Sequence, residues 1–527
     1  MAYLDQGLVY IILVGAGLAV GLRVLGRTLY PDGVCGDVFY HLLCAQAIRE
    51  NSLRLPKDIP GFIWQTGYTY PPLYHLLLAL FPERYGKFFE RYSSLIFDLV
   101  QTVFVWYTTR AFFSYLGDVP ALAEIKALAV SGANIVSPML NAYISGPRSM
   151  TGTGRTLGEG LFVVAVCSTL LWEMGRGHGF ALVAIFCYGF VPLASKFGLQ
   201  SLVALFLVLG LALKFKWCLL MIAGMGVGFL VSRGHLLKVI KGQLYHSLFY
   251  FQFLQPRRTG LEGLHGVRAY CSRLIEVLKP PGIGRKLTRW LLEERCATHV
   301  VVVHNFHIWI LAFLWLGNSI RFGDIGAEQV LKSLFFLSIV PFFPLILTTL
   351  KPFRFLGENY RYLEYYQWAY WLLLCYFSPG LFSMAAIIAA IFTCCLLVIQ
   401  LRYVRDWEQA YNNSAPFFDH VKRVYAGKKA YVLSGTYYEL CYRGNVDILY
   451  WSSNMMPGIV PYGELDELFH RWPFPREGNG YQRVLKRYGV ELVMCHEATA
   501  EFLGPSTLVG LEAIEMPPSQ YRLFRLN

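Results

Sequence analysis

The sequence predicts an α-helical polytopic membrane protein with about 11 transmembrane helices and a small C-terminal α/β domain. Of its 527 residues, 55% are hydrophobic and only 15% are charged, and the mean hydropathy is +0.42. A soluble protein of this size carries much less apolar surface. About eleven apolar segments approach the length of roughly 20 residues that a helix needs to cross a bilayer. A polar tail follows them.

The apolar segments are the predicted transmembrane helices. They occupy residues 8–26, 93–115, 121–143, 157–174, 179–195, 199–214, 217–232, 299–317, 331–350, 368–380 and 382–402. No basic residue precedes the first segment, so we expect it to remain as a span and not to be a cleaved signal peptide.

Two long loops, residues 27–92 and 233–298, separate these segments. We therefore predict a transmembrane domain over residues 1–402 and a second domain over residues 403–527. If the N-terminus is cytoplasmic, both loops and the tail fall on the external side. Lys and Arg are spread evenly over the short loops, so the charge rule for membrane orientation does not decide between the two sides.

The tail alternates patterns of strand and helix. We predict strands over residues 430–433, 447–451, 491–495, 508–514 and 520–526, and helices from residue 437, near 464–471 and over 481–488. Such alternation over about 100 residues is typical of a small α/β domain.

The formal net charge of +13 indicates negatively charged partners. Lys and Arg near a bilayer attract anionic headgroups by about 1 kcal/mol each. No nucleic-acid-binding motif is present, so we expect lipid phosphates and no nucleic acid as partners. The twelve cysteines show neither metal-ligand spacing nor a disulfide framework. His304 and His307 could bind a divalent metal, but no paired carboxylates accompany them, so we predict a polar patch inside the bundle and no cofactor.

The first long loop contains the most informative pattern. Gly36-Asp37-Val38-Phe39-Tyr40-His41 opens an amphipathic run to Glu50, and Tyr70-Pro71-Pro72-Leu73-Tyr74-His75 leads into a second apolar helix. An acidic residue at the head of a helix followed by a Tyr-Pro-Pro turn resembles the first external loop of the GT-C class of multi-spanning glycosyltransferases. The resemblance implies a GT-C-like fold and a sugar donor carried on a polyprenyl phosphate.

In the GT-C class the acidic residue of this loop is catalytic, so the resemblance implies that Asp37 is the general base. It would take the proton from an acceptor hydroxyl. One base suffices for an inverting transfer, because the phosphate leaves without an acid. Asp37 also has a purely structural interpretation, since Asp is a favoured N-cap and residues 38–50 form a plausible helix. The two roles are compatible.

Three other residues of the loop are further candidates for the site. His41 lies four residues after the base, on the same helix face, and either orients the carboxylate or lies at the lipid interface. Asp58 stands near two prolines, a setting typical of a turn. His75 follows the Tyr-Pro-Pro turn, which we interpret as architecture that shapes the acceptor cavity.

A second group of candidates lies between the ninth and tenth apolar segments: Arg354, Glu358, Arg361, Tyr362 and Glu364. Arg361-Tyr362 resembles an Arg-Tyr element near the last spans of many GT-C enzymes. The resemblance implies that Arg361, with Tyr362 and Arg354, binds the donor phosphate, to which Arg forms bidentate hydrogen bonds. The alternatives are an interfacial loop that snorkels its cations and a local ion-pair cluster with Glu358 and Glu364.

The second long loop mixes basic and aromatic residues, which is typical of helices that lie in the membrane interface with their basic side towards the headgroups. Its position matches a large external loop of the GT-C class that helps to form the donor site. Arg148, Arg155 and Glu159 are charged candidates at the edge of the cavity.

These observations predict a hexosyl- or pentosyltransferase of the cell envelope. It would transfer a sugar with inversion from a polyprenyl-phosphate carrier to a hydroxyl of a glycan, lipid or protein acceptor, at the external face of the plasma (inner) membrane. A lipid-linked-glycan transporter would show internal repeats and paired broken helices, which the sequence lacks. A surface-polysaccharide polymerase or ligase with a lipid-diphosphate donor remains an alternative, because the basic loop would suit that donor too.

Overall fold

The computed structural model of the chain describes most of its residues. They are residues 5–32, 36–65, 67–141, 152–211, 214–254, 267–293, 297–317, 329–350, 353, 356, 360–433, 437–450, 460–470, 474–503 and 505–526. The chain divides into two compact units. The first consists of Met1–Leu29, Arg91–Leu236 and Leu261–Tyr403, and the second of Tyr30–Glu90, Leu237–Gly260 and Val404–Asn527. The second unit thus contains both the first long loop and the tail.

Helices account for most of the described chain. In order they are α1 (Gln6–Leu29), α2 (Gly36–Glu50), α3 (Leu73–Ala79), α4 (Glu83–Tyr115), α5 (Pro120–Ile135), α6 (Pro138–Asn141), α7 (Gly154–Glu173), α8 (His178–Ala194), α9 (Lys196–Leu205), α10 (Phe215–Val231), α11 (His235–Phe249), α12 (Val267–Leu278), α13 (Ile283–Glu293), α14 (Ala297–Val302), α15 (Phe306–Leu316), α16 (Gln329–Ile339), α17 (Phe342–Thr349), α18 (Arg361–Glu364), α19 (Gln367–Phe377), α20 (Pro379–Asn413), α21 (Ala415–Val424), α22 (Tyr437–Gly444), α23 (Tyr462–Phe469), α24 (Gly480–Arg487), α25 (Glu497–Leu503) and α26 (Pro505–Leu508). Short π-helical stretches, Phe206–Leu211 and Tyr250–Leu254, extend α9 and α11.

Each predicted apolar segment contains a helix, and the protein is an integral membrane protein. Among the described residues, four helical stretches are long and apolar enough to cross a bilayer: Gln6–Leu29, Gly154–Glu173, Gln329–Thr348 and Pro379–Val424. Phe215–Val231 and His235–Phe253 add a fifth candidate if the pair is one broken span. Other predicted segments differ from single spans: residues 93–115 lie within the longer α4, and residues 299–317 are divided between α14 and α15. The total of eleven spans stays a prediction.

Small residues allow the helices of the first unit to approach closely. A Cβ added to Gly189 on α8 would lie 2.4 Å from the carbonyl oxygen of Gly224 on α10, and one added to Gly158 on α7 would lie 2.4 Å from Cβ of Ser195. Contacts of this kind are typical of helices that pack within membranes. α19 is buried throughout Gln367–Cys375, so it lies in the core of this unit.

The described part of the tail forms a mixed five-stranded sheet; the sequence predicts five strands there, but not how they pair. Its strands are β1 (Lys429–Val432), β2 (Asp447–Ile448), β3 (Leu492–His496), β4 (Leu511–Ile514) and β5 (Tyr521–Leu526). Their order is β2-β1-β3-β5-β4. β1 pairs in parallel with β2 and β3, whereas β5 is antiparallel to β3 and β4. The predicted strand over residues 508–514 begins three residues late, because α26 extends to Leu508.

The first long loop adds to this sheet beside β2. Phe62 forms a parallel bridge with Ile448, the N–H of Ile63 donates to the Ile448 carbonyl at 2.9 Å, and the N–H of Ile448 donates to the Gly61 carbonyl at 2.8 Å. Gly61 has φ +82°, and a Cβ there would lie 2.2 Å from Sγ of Cys441, so this close approach requires glycine. The loop that carries Asp37 is therefore joined to the C-terminal sheet.

Candidate functional site

Asp37 lies in the first turn of α2, and its side chain is exposed. α2 begins one residue earlier, at Gly36, so Asp37 is the second residue of the helix and not its N-cap. A carboxylate in a first turn gains about 0.3–1 kcal/mol from the positive end of the helix dipole. Its exposure leaves the carboxylate accessible to a substrate hydroxyl.

Aromatic residues of the tail hold α2 in place within the second unit. The ring of Phe39 stacks on Tyr411 with centroids 6.3 Å apart, and it contacts Tyr442 at 5.8 Å. The next residue, Tyr40, packs against Tyr438 of α22 at 5.1 Å. Because three rings of the tail, those of Tyr411, Tyr438 and Tyr442, lie against the turn that follows Asp37, the tail supports the candidate base, although it supplies no charged partner for it among these contacts.

His41 and His75 meet in the interior of the second unit. Nδ1 of His41 lies 2.8 Å from Nε2 of His75, and Nδ1 of His75 forms a short hydrogen bond with the hydroxyl of Tyr68. Both imidazoles are buried, which argues against the lipid-interface alternative for His41. Burial lowers the pKa of His41 to about 4, although the Asp37 carboxylate raises it in part. Burial also lowers the pKa of His75 well below its usual value.

The proton positions on His41 and His75 are assigned from the hydrogen-bond partners of their ring nitrogens. Both imidazoles are neutral at pH 7, so each ring has one N–H and one bare nitrogen. A phenol is a better donor than an imidazole N–H, so we assign Tyr68 as the donor to Nδ1 of His75, and Nε2–H of His75 as the donor to Nδ1 of His41. His41 then carries its proton on Nε2. It lies one turn from Asp37 and offers this N–H as a donor.

The other candidates of the first loop occupy structural positions. Asp58 is half-buried in a bend, which fits the predicted turn. The Tyr70 ring stacks on His75 with centroids 5.3 Å apart, so the Tyr-Pro-Pro turn covers the buried histidine pair. Burial raises the pKa of Tyr438 well above its usual value, and Tyr437 and the Asp37 carboxylate add to the effect. Tyr438 is therefore a neutral phenol near the candidate base.

Arg361 lies in the first unit, at the start of α18. Its guanidinium carbon is 4.8 Å from the centroid of the Phe197 ring. Nζ of Lys196, the first residue of α9, is 5.5 Å from the same centroid. Both cations are half-buried, and a ring face attracts each of them. Two positive charges thus share one aromatic ring beside a helix N-terminus, a combination suited to a phosphate.

Tyr362 and Glu364 fix the short helix that presents Arg361. The hydroxyl of Tyr362 lies 3.0 Å from Oε1 of Gln200 and 2.9 Å from the carbonyl oxygen of Leu356. Oε2 of the buried Glu364 is 3.7 Å from Nε of Arg155 at the start of α7. Glu364 therefore pairs across the bundle, with a residue that the sequence marked only as a charged candidate.

Three other predicted site residues, Arg148, Arg354 and Glu358, lie outside the described residues. The local ion-pair cluster that would include Glu358 therefore stays a prediction. Of the residues that are described, Asp37 belongs to the second unit and Arg361 to the first.

The predicted polar patch of histidines is buried. His307 stacks on Trp371 with centroids 4.1 Å apart, and His304 packs edge-on against His299 at 5.3 Å. Within the described ranges, no three His, Cys, Asp or Glu side chains come together in a group that could hold a metal ion.

Lys196, Tyr68 and Tyr438 are among the residues of these clusters that the sequence analysis did not single out. Lys196 carries a detectable signal, because a lone cation between two apolar segments is rare without a functional or structural reason. Tyr68 and Tyr438 carry none, since only the tertiary structure brings them to His75 and Tyr40.

Comparisons with models of protein families and with curated proteins found no match for this chain. Among solved structures, the chain is similar to the archaeal oligosaccharyltransferase AglB from Archaeoglobus fulgidus, in complex with an inhibitory peptide and a dolichol-phosphate. The TM-score is 0.54 at 11% identity, over 93% of this chain and 69% of AglB.

Two other solved structures are similar as well. ArnT from Cupriavidus metallidurans, bound to undecaprenyl phosphate, has a TM-score of 0.48 at 12% identity over 97% of each chain. The arabinofuranosyltransferase AftD from Mycobacteria has a TM-score of 0.46 at 14% identity, over 100% of this chain and 40% of AftD. The likeness to AglB shows that this chain has the GT-C fold, as the sequence predicts.

Proposed function

We propose that this chain is a membrane glycosyltransferase that moves a sugar, with inversion, from a polyprenyl-phosphate carrier to an acceptor hydroxyl. The observation that carries the proposal is the exposed carboxylate of Asp37 at the head of α2, in a chain with the GT-C fold. AglB has been solved with a dolichol-phosphate, which supports a polyprenyl phosphate as the carrier here.

In the proposed reaction Asp37 is the general base. The acceptor oxygen attacks the anomeric carbon of the donor sugar while its proton passes to a carboxylate oxygen of Asp37. The new bond joins the acceptor oxygen to the anomeric carbon, and the bond between that carbon and the phosphate oxygen breaks. Its electron pair leaves with the polyprenyl phosphate. Attack opposite the leaving group inverts the anomeric centre.

Arg361 would stabilise the leaving phosphate, with Lys196 as a second cation. Negative charge grows on the phosphate oxygens as the sugar departs, and positioned cations stabilise that charge more than they stabilise the ground state. The support for this role is the pair of half-buried cations at Phe197, held by the contacts of Tyr362 and by the ion pair of Glu364 with Arg155.

The proposed topology follows from the same function. About eleven spans would place both long loops and the tail on the external side, where a lipid-linked donor meets an acceptor of the cell envelope. The domain from residue 403 onward would position the acceptor or support the external surface without a catalytic residue of its own. The packing of Tyr438 and Tyr442 against α2 favours this structural role.

The test of the proposed function is the variant Asp37→Asn. It removes the base and keeps the shape of the side chain. Purified protein in nanodiscs would be mixed with membranes from cells that lack the chain and with polyprenyl-phosphate hexoses and pentoses labelled in the sugar. We expect transfer of label into products to fall by about 10²–10⁴-fold, the usual contribution of a general base.

Asp58→Asn is the matched control, because it changes the same chemistry in the same loop at a bend. It should keep transfer close to that of the unmodified protein. A parallel reaction with sugar on a polyprenyl diphosphate tests the polymerase or ligase alternative. Wild-type transfer by Asp37→Asn, or a preference for the diphosphate donor, would overturn the proposal.

A further inference from the structure

A cavity of about 370 Å³ lies within the first unit, lined by residues of α1, α4, α5 and α6. Its volume is in the range of roughly 300–1,000 Å³ that is usual for ligand sites. Most of the lining side chains are apolar, and three of them, Val24, Ile96 and Leu99, are also exposed on the surface of the helices. Because exposed apolar faces of a membrane protein contact acyl chains, the cavity opens towards the lipid.

Among the described residues that line the cavity, Arg23 and Asp98 carry the charge. Nη2 of Arg23 donates to Oδ2 of Asp98 at 2.5 Å, and the two side chains are 5% and 16% exposed. Ionisable residues within spans pair in this way because an uncompensated charge there is costly. The two charges compensate each other, so the cavity has no net charge. A neutral head group therefore suits it better than an anionic one, which would have to compete with Asp98 for Arg23.

The position of this ion pair along the helices indicates which part of a lipid lies beside it. Arg23 lies six residues before the end of α1 at Leu29, a distance of about 9 Å at 1.5 Å per residue. On α4, Asp98 lies seven residues after Arg91, the preceding cation of that helix, or about 10 Å. The headgroup region of each leaflet is roughly 5–8 Å thick. Both helices therefore place the pair just inside the headgroups, at the level of the ester groups of a lipid.

Two buried amide side chains define the head group further. Gln101 is 2% exposed and Asn134 is 3% exposed, and both line the cavity. Among the described residues, none hydrogen-bonds to Oε1 or Nε2 of Gln101 or to Oδ1 of Asn134. A buried polar atom without a partner costs about 1–3 kcal/mol. The two oxygens only accept and the amide nitrogen only donates, so a ligand must supply both a donor and an acceptor, as a hydroxyl group does.

We propose that this cavity binds a neutral lipid that carries a free hydroxyl group at the level of its esters, the chemistry of a diacylglycerol. The hydroxyl donates to the amide oxygen of Gln101 or Asn134, and an ester carbonyl accepts from Nε2 of Gln101. One acyl chain leaves the cavity past Ile96 and Leu99 into the bilayer. The ion pair of Arg23 and Asp98 stays intact and excludes charged head groups. This inference does not depend on the proposed reaction, because it concerns a separate cavity within the first unit.

The experiment uses the full chain in nanodiscs of phosphatidylcholine, whose head group has no hydroxyl. A diacylglycerol with a photoreactive diazirine near the ester end of one acyl chain is added, and crosslinked peptides are identified by mass spectrometry. We expect crosslinks within residues 20–24 and 92–102. An excess of unlabelled diacylglycerol should remove most of them. Its O-acetyl derivative, which lacks the hydroxyl, and phosphatidic acid, which is anionic, should leave most of them in place at the same concentration.

The decisive variant combines Gln101→Met and Asn134→Leu, which keep the size of each side chain and remove its hydrogen-bonding atoms. It should weaken the binding of the labelled diacylglycerol about tenfold or more, because two hydrogen bonds are lost. Thr109→Val is the matched control: Thr109 is a buried residue of α4 whose hydroxyl also has no hydrogen-bond partner among the described residues, and it does not line the cavity. It should leave binding unchanged. Thermal unfolding of each variant verifies that it is folded.

Four results would overturn the proposal. Equal competition by the O-acetyl derivative would show that the site does not recognise the hydroxyl. Unchanged binding in the variant of Gln101 and Asn134 would show that the amides do not hold the lipid. If phosphatidic acid or polyprenyl phosphate displaced the label better than diacylglycerol, the cavity would be a site for an anionic lipid or for the carrier. An absence of crosslinks within residues 20–24 and 92–102 would show that water or phosphatidylcholine fills the cavity.

Discussion

Nδ1 of His41 and Nε2 of His75 lie 2.8 Å apart, buried between the helix of the candidate base and the helix that follows the Tyr-Pro-Pro turn. The hydrogen bond between them joins the two halves of the first loop. Because both imidazoles are neutral, one ring must donate and the other must accept. Protonation of either ring would place a positive charge in this buried site, and protonation of His41 on Nδ1 would also remove the acceptor of this hydrogen bond.

The first prediction concerns acid. An unfolded histidine has a pKa of 6.5, whereas in the folded protein His41 has a pKa of about 4 and His75 a pKa well below its usual value. Between pH 6.5 and 4 the unfolded state therefore binds more protons than the folded state. The free energy of unfolding keeps the full contribution of these two histidines above pH 6.5 and loses it as the pH falls through this window. We expect a loss on the order of 1–3 kcal/mol.

Thermal unfolding of the purified protein at pH 7.5 and pH 5 would measure this loss, with about equal ionic strength in both. The variant His41→Gln with His75→Gln lacks both titrating groups. Its stability should change less between the two pH values than that of the unmodified protein. An equal change in both proteins would contradict the prediction.

The second prediction concerns the junction of the first loop with the sheet. Gly61→Ala places a Cβ 2.2 Å from Sγ of Cys441 in a residue with φ +82°. Gly427→Ala is a matched comparison, because φ is +75° there and a Cβ meets nothing within 4 Å. Both variants incur the backbone strain of about 1–2 kcal/mol, and only Gly61→Ala adds the collision.

We therefore expect Gly61→Ala to lower the free energy of unfolding by more than Gly427→Ala, measured by thermal or denaturant unfolding. Overpacking of this kind typically costs a further 1–3 kcal/mol. Equal effects of the two variants would mean that the loop can move away from Cys441 at little cost.

The third prediction concerns the donor phosphate. Arg361→Ala should weaken the binding of polyprenyl phosphate at least tenfold, because the loss of a charge-assisted contact to a buried partner typically costs about 2–5 kcal/mol. Arg361→Lys should restore binding only in part, since lysine lacks the planar fork of arginine. Arg476→Ala, on the exposed surface of the tail, is the control. Unchanged affinity in Arg361→Ala would remove this residue from the site.

The fourth prediction concerns membrane orientation. Glu477 is exposed in the tail, so a cysteine introduced as Glu477→Cys in a cysteine-depleted background should react with an impermeant thiol reagent added to intact cells. If labelling required permeabilised membranes, the tail would be cytoplasmic. That result would contradict the proposed odd number of spans and the external position of Asp37.

Local patterns in the sequence predicted the elements of the tail well. The strands predicted at 430–433 and 491–495 agree with β1 and β3 to within a residue, because short apolar runs between helical stretches define them. The predicted helix over 481–488 agrees equally well with α24. Periodicity specifies such elements because it depends only on neighbouring residues.

Contacts between distant residues could not be predicted in the same way. The sequence marked both His41 and His75 as candidates, but nothing in their local patterns indicates that they bond to each other across 34 residues. The pairing of Glu364 with Arg155 and the contact of Arg361 with Phe197 are equally non-local. These contacts depend on how the helices pack, and helix packing is hard to predict from a single sequence.

The β-bridge between Phe62 and Ile448 can form only after the ribosome has synthesised the chain as far as Ile448. At about 5–20 residues per second, roughly 20–80 s of translation separate the two partners. Throughout that time the loop that carries Asp37 lacks the sheet edge on which it rests. The candidate active site is therefore completed only when the C-terminal sheet emerges and folds, so a chain released early would enter the membrane with the loop that carries the candidate base unfinished.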